Sequence, residues 1–232
     1  MYKLVTSFKN TLFSPAYEII SDYAELGIDA LFDNALLKDI PIVNTLTSFC
    51  KVGYNIHERN LTKQTLAFIS DFNSHNISQE KLDEHIEQFN ANPEKIEKEL
   101  GRVLIILGKQ IDIVQSKILG SFYASYIKGA VSWEKFCELA EANQRMFVSD
   151  YALLSKAATN GGLRIQNGEF YQVDRLISLG LLQNKNRLGD NIWHSFEYDS
   201  QKENDITVTS FGMTFYHNAS TELHNVSIEL KK

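Results

Sequence analysis

Few of the side chains able to do chemistry stand at spacings that would let them do it. A helical zinc site needs two histidines one turn apart. Neither His57 nor His85 has a second histidine four residues on, and His75 stands alone in a turn. The two cysteines, Cys50 and Cys137, lie far apart, each within an apolar helical pattern. That pattern suits reduced, buried side chains better than a disulfide or a metal knuckle, and it points to a cytoplasmic compartment. Gly161-Gly162 and Gly168 lack the strand-to-helix context of a phosphate loop or dinucleotide fingerprint, and no serine nucleophile elbow occurs. These patterns predict no catalytic residue, no cofactor and no metal, and leave room only for an active site assembled from scattered residues that converge in space.

Charged and small residues supply the remaining candidates. Glu18, Asp22, Glu25, Asp29 and Asp33 recur at helical spacing and form an acidic stripe, a candidate face for a basic partner. A single helix face cannot surround a cation, so the stripe reads as a protein contact or a solvated surface rather than a metal site. Ser116, Gly120 and Ala124 recur every four residues, as do Ser121, Ser125 and Gly129, a spacing that permits close helix approach in a membrane or in a tight soluble bundle. The longest apolar region, Leu100 to Ala130, carries Arg102, Lys109, Asp112, Lys117 and Lys128, too many charges for a spanning helix. The first nine residues lack the apolar run and cleavage site of a secretory signal. A membrane-active helical protein is therefore the second alternative, opposed by the acidic polar faces.

These residues must be positioned mainly by helices. The spacing of Ile19, Ile20, Tyr23, Leu26, Ala30 and Leu31 predicts a helix from Pro15 to Leu37, capped by Ser14 and ended at Asp39-Ile40-Pro41. Ile42, Leu46, Phe49, Val52 and Ile56 continue the pattern. A polar step follows at His57 to Asn60, then Leu61, Leu66, Phe68 and Ile69, so one long helix or two short ones both fit. Ser78 caps a helix carrying Leu82, Ile86 and Phe89 that stops near Asn92-Pro93. The strongest periodicity, Leu100, Leu104, Leu107, Ile111, Val114 and Ile118, predicts one central helix, its stripe widened by Val103, Ile106, Ile113 and Leu119. Ser132 opens the next, with Trp133, Phe136, Leu139 and Phe147 as its large apolar residues.

The pattern changes at the turn signals Thr159 to Gly162 and Gln166 to Gly168. A first helix near Asp150 to Lys156 precedes them. Val173 to Leu182 then reads as a helix closed by Gly180. Ile192 to Tyr198 and Asp205 to Thr209 read as the strands of a hairpin, and Phe211 to Tyr216 as the start of a last helix. The expected fold is mainly α: an N-terminal multi-helix domain over 1–148, a small α+β winged-helix-like domain over 149–217, and a polar C-terminal tail over 218–232.

The spacing Leu176-x-x-Leu179-Gly180-Leu181-Leu182, followed by Thr207-Val208-Thr209-Ser210-Phe211-Gly212, resembles the C-terminal half of bacterial winged helices. A helical region ahead of such a module is similar in layout to bacterial abortive-infection proteins of the abortive infection alpha type. That likeness implies a role in phage defence, and no functional residue is carried over from it. The net charge of −6 gives no general attraction to nucleic acid. From Asn160 to Lys232 nine acidic residues outnumber seven basic ones. A non-enzymatic protein that contacts other proteins, or a second copy of itself, is the leading expectation. The alternative is a DNA-binding regulator that would rest on Arg175, Lys185, Arg187 and Lys202.

Overall fold

Three- and four-residue apolar spacing becomes helix wherever the chain is described, which in the computed structural model means residues 2–14, 40–48, 56–163, 170–185 and 206–229. The protein is mainly helical, with a small antiparallel sheet that has two strands among the described residues, and it divides into two units, Met1–Gln144 and Arg145–Lys232.

The first unit contains α1 (Tyr2–Leu12), α2 (Pro41–Ser48), α3 (Ile56–Ser74), α4 (Gln79–Ala91), α5 (Pro93–Leu107), α6 (Ile113–Ile127) and α7 (Trp133–Gln144). Helix α1, unremarked in the sequence, buries Val5, Phe8 and Leu12. The backbone N–H of Ile42 donates to Thr11 Oγ1 at 3.1 Å, tying α2 to α1. Ser78 and Asn92 cap α4 and α5 by accepting from Lys81 N at 3.4 Å and Lys95 N at 3.3 Å, as their positions before each apolar stripe imply. Helices α2 and α3 both belong to the second apolar run, residues 49–55 of which lie outside the described residues, and the polar step His57 to Asn60 is helical, within α3. The expected helix from Pro15 to Leu37, together with Phe49 and Val52, lies outside the described residues.

The expected single helix through Leu100 to Ile118 is corrected to two, because the chain turns between Leu107 and Ile113. Amide side chains, those of Gln64 and Gln115 buried, hold that turn. Asn60 donates to the carbonyl of Gln110 at 2.7 Å and Gln64 to that of Ile111 at 2.8 Å, while Gln115 Oε1 accepts from the N–H groups of Ile111 and Asp112. Ile111, expected in the core, is 82% exposed at its tip. Both halves keep the same stepping, so hydrophobic periodicity alone does not register the break.

Helix α6 lies against α3 at a separation set by Gly120, where a Cβ would stand 2.7 Å from the carbonyl oxygen of Phe68. The small-residue spacing therefore serves tight helix packing. Around it the rings of Phe8, Phe72 and Tyr123 surround Phe68, with centroids 5.7 to 6.4 Å away. Among the described residues no helix is long and apolar enough to cross a membrane.

The second unit comprises α8 (Val148–Thr159), α9 (Phe170–Ser178), β1 (Leu182–Asn184), β2 (Ile206–Val208) and α10 (Ser210–Glu229). Gly180, at φ +74°, ends α9 as expected, and the N–H of Leu181 returns to Leu176 O at 2.9 Å. Leu181 and Leu182 thus leave the helix, and Leu182 opens β1, whose register pairs Leu182 with Val208. Among the described residues, β2 pairs with the segment directly after α9, and the expected strand Ile192 to Tyr198 lies outside the described residues. Leu163 adds a single bridge to Ile206.

Two further expectations are corrected. The segment after residue 217 is helix rather than polar tail: α10 runs on to Glu229 and buries Ala219, Leu223 and Val226 in line with Phe215. Polar residues between these sparse apolar positions hide the stripe. Phe147 belongs to neither the core nor α7; it is the residue before α8, and it is 60% exposed.

Candidate functional site

The start of α8 and the middle of α9 meet through one charged pair. Asp150, in the first turn of α8, turns its carboxylate back to accept from the N–H of Phe147 at 2.8 Å, which satisfies a donor otherwise unbonded at the helix start. The same carboxylate receives the Arg175 guanidinium in a two-point fork, Nε to Oδ2 at 2.7 Å and Nη2 to Oδ1 at 2.8 Å. Asp150 is fully buried. Its hydrogen bond and charge hold the Arg175 pKa above even the usual arginine value.

Above the fork the guanidinium lies against two rings, with its central carbon 4.5 Å from the centroid of Phe147 and 5.7 Å from that of Tyr171. Tyr171 is 63% exposed, so together with Phe147 it forms an outward aromatic pair with a neutralised arginine between the rings. Gln172 donates to Ser149 Oγ at 2.8 Å beside it, a second link between the two helices. Aromatic rings around an arginine held in place are residue types enriched where proteins contact one another.

Two further clusters contain groups familiar from catalysis. His75 Nε2 stands 3.3 Å from Asp71 Oδ2 and 3.1 Å from Ser121 Oγ, and Ser121 donates to Asp71 at 2.9 Å. A hydrolytic triad needs the serine on one imidazole nitrogen and the carboxylate on the other; here one nitrogen faces both, and Ser121 is buried. The arrangement ties α6 to the end of α3. In the second cluster, the buried His85 and Glu99 approach to 3.2 Å. Tyr126 donates to Glu99 Oε1 at 2.9 Å, and the Tyr123 hydroxyl lies 3.4 Å from His85. Burial first, and Glu99 second, push both phenol pKa values up, which keeps their protons in place. Glu99 Oε1 is taken by Tyr126, whereas Glu99 Oε2 is buried without a hydrogen-bond partner despite its approach to His85.

Of the residues proposed from sequence, Arg175 is drawn inward onto Asp150, and Lys185 is exposed just after β1. Arg187, Lys202, and the acidic stripe Glu18, Asp22, Glu25, Asp29 and Asp33 lie outside the described residues, as does Cys50. Cys137 is a half-buried free thiol on α7, and burial raises its pKa. Among the described residues no three His, Cys, Asp or Glu side chains gather as a metal site would require.

No protein-family model, curated protein or solved structure matches this chain. The site is therefore argued from its own residues. Sequence reading singles out Arg175 as a candidate phosphate contact and misses Asp150, twenty-five positions away. The signal available was an acid at the third position of a helix start, a place that favours carboxylates on any helix and does not name a distant arginine.

Proposed function

We propose that this chain is a non-enzymatic, cytoplasmic interaction or regulatory protein whose second unit is a winged-helix-like module that contacts protein through Phe147, Arg175 and Tyr171. The order of α8, the Leu163 bridge, α9, β1, β2 and α10 supports the winged-helix-like reading. The observation that carries the function is the closed Asp150–Arg175 fork between two exposed rings. A helix that reads DNA needs cations free to reach phosphates and base edges, and the arginine of α9 is already neutralised. The layout of a helical unit ahead of this module supports a place in phage defence.

A duplex titration separates this reading from the DNA alternative. The full chain should show no saturable binding to mixed-sequence duplex at about 50 mM salt, where phosphate contacts are strong. Binding that weakens steeply with added salt and with Lys185→Ala would replace the protein-contact reading with the DNA one.

A further inference from the structure

Helix α4 is attached to the first unit by two buried side chains. Of its thirteen residues only His85 and Phe89 are buried, whereas ten of the fifteen in α6 are. Its other large apolar residues, Leu82 and Ile86, are half-buried and line a cleft of about 490 Å³ that parts α4 from the ends of α1 and α3. Polar residues, among them Asn73, Asn76 and Gln79, share that cleft with them. A second gap, of about 220 Å³, lies between α1 and the junction of α4 with α5, lined by Phe89, Asn90 and Pro93 among others. Open space therefore adjoins the helix along its first two turns and again at its last.

The anchor between these gaps is mixed. Phe89 stands edge-on to His85, with ring centroids 4.4 Å apart, and lies 6.2 Å from Phe13. One nitrogen of His85, Nε2, approaches both the Tyr123 hydroxyl at 3.4 Å and Glu99 Oε2 at 3.2 Å. Glu99 Oε2 nevertheless stays buried without a hydrogen bond. A carboxylate oxygen left in that state has lost its water without full replacement, which opposes closure of α4 over it. Two further ties, Lys9 Nζ to Asn90 Oδ1 at 2.7 Å and Lys95 Nζ to Gln88 Oε1, are exposed and contribute little.

Local stability follows such differences, because an element opens at the cost of the contacts that it alone gives up. Helix α4 is joined to α3 through residues 75–78 and to α5 through Asn92. Thirteen residues are close to the lower limit for a helix without tertiary support, so a lifted α4 frays and its amides meet water.

We propose that α4 is a lid. It lifts from the first unit at residues 75–78 and Asn92, gives up His85 and Phe89, and admits water to Glu99 and Tyr123 while α3, α5 and α6 stay packed. The lid belongs to the first unit, and neither it nor its test depends on the protein-contact reading of the second.

Native-state hydrogen exchange of the full chain, at urea concentrations up to about 1 M, tests it. The α4 amides should be at least about a hundredfold less protected than the slowest of α6. Their exchange should respond weakly to urea, because little surface opens, while that of α6 responds steeply. Two mild variants separate lifting from global unfolding. Phe89→Leu should speed exchange of α4 by about tenfold. Ile118→Val trims the core that the lifted state keeps, five residues before Tyr123; it should speed exchange of α6 about fivefold and leave α4 unchanged. Equal protection of α4 and α6, a shared urea response, unmoved α4 amides in Phe89→Leu, or an Ile118→Val change that is equal in both helices would each overturn it.

Discussion

A Cβ atom on Gly212 would stand 2.1 Å from the carbonyl oxygen of Leu181, so α10 begins at a distance from the chain before β1 that only glycine permits. Thr209 locks the same junction. Its N–H donates to Leu181 O at 3.0 Å, its hydroxyl to Gly180 O at 2.6 Å, and its Oγ1 accepts from the N–H of Gly212 at 2.9 Å. The threonine and glycine of the sequence pattern are thus parts of one joint between α9, the sheet and α10.

Gly212→Ala must push α10 off Leu181, and we expect a loss of about 3 kcal/mol in the second unit. Hydrogen exchange of the α8 and α10 amides measures it locally. Gly101→Ala supplies the contrast: its Cβ would meet Glu97 Cγ at 3.8 Å and Val5 Cγ2 at 4.0 Å, ordinary contacts. That helix-interior change should stabilise α5 by up to about 1 kcal/mol.

The turn between α5 and α6 depends on Ser116, whose buried hydroxyl lies within hydrogen-bonding distance of the side-chain oxygens of both Gln64 and Gln110. Ser116→Ala leaves buried acceptors without their donor and should cost about 2 kcal/mol. Urea unfolding at neutral pH reads the loss. Unaltered stability would show that the amides re-pair without the serine.

Alkaline pH should destabilise the first unit through its buried phenols. An unfolded tyrosine loses its proton near pH 10, whereas burial and Glu99 keep Tyr123 and Tyr126 protonated above that value. The folded state therefore holds more protons in this window, so the contribution is complete below about pH 10 and is lost as pH rises through the raised values. The urea midpoint should fall above about pH 10, and Tyr126→Phe should make that fall shallower.

Much of the architecture was legible because helix starts and stops carry local chemistry: Ser78, Asn92-Pro93, Ser132 and Gly180 each mark a boundary where the structure has one. What escaped was set by distant partners. Asn60 and Gln64 stabilise a turn fifty residues on that periodicity ran straight through. Phe147 follows an apolar helix and was grouped with it, although its exposure depends on where α8 restarts. Arg175 looked like a free cation because its neutralising acid sits on another helix. His75 has Asp71 one turn before it, but meets Ser121 only when α6 lies against α3.

The Asp150–Arg175 fork is itself testable. Arg175→Lys keeps the charge but loses the planar two-point contact, and should cost about 1 to 2 kcal/mol. Asp150→Ala leaves a partly buried cation without its acid and an unbonded N–H at Phe147, and should cost about 3 kcal/mol. Thermal unfolding of the two variants should rank them in that order.

The most direct test of the protein-contact surface is photocrosslinking in the native cell, with a benzophenone amino acid in place of Tyr171 in the full chain. The proposed reading predicts a crosslink to one discrete protein, or to a second copy of this chain, that disappears when Phe147→Ser removes the neighbouring ring. Crosslinking to nucleic acid, or no adduct from this position, would contradict it.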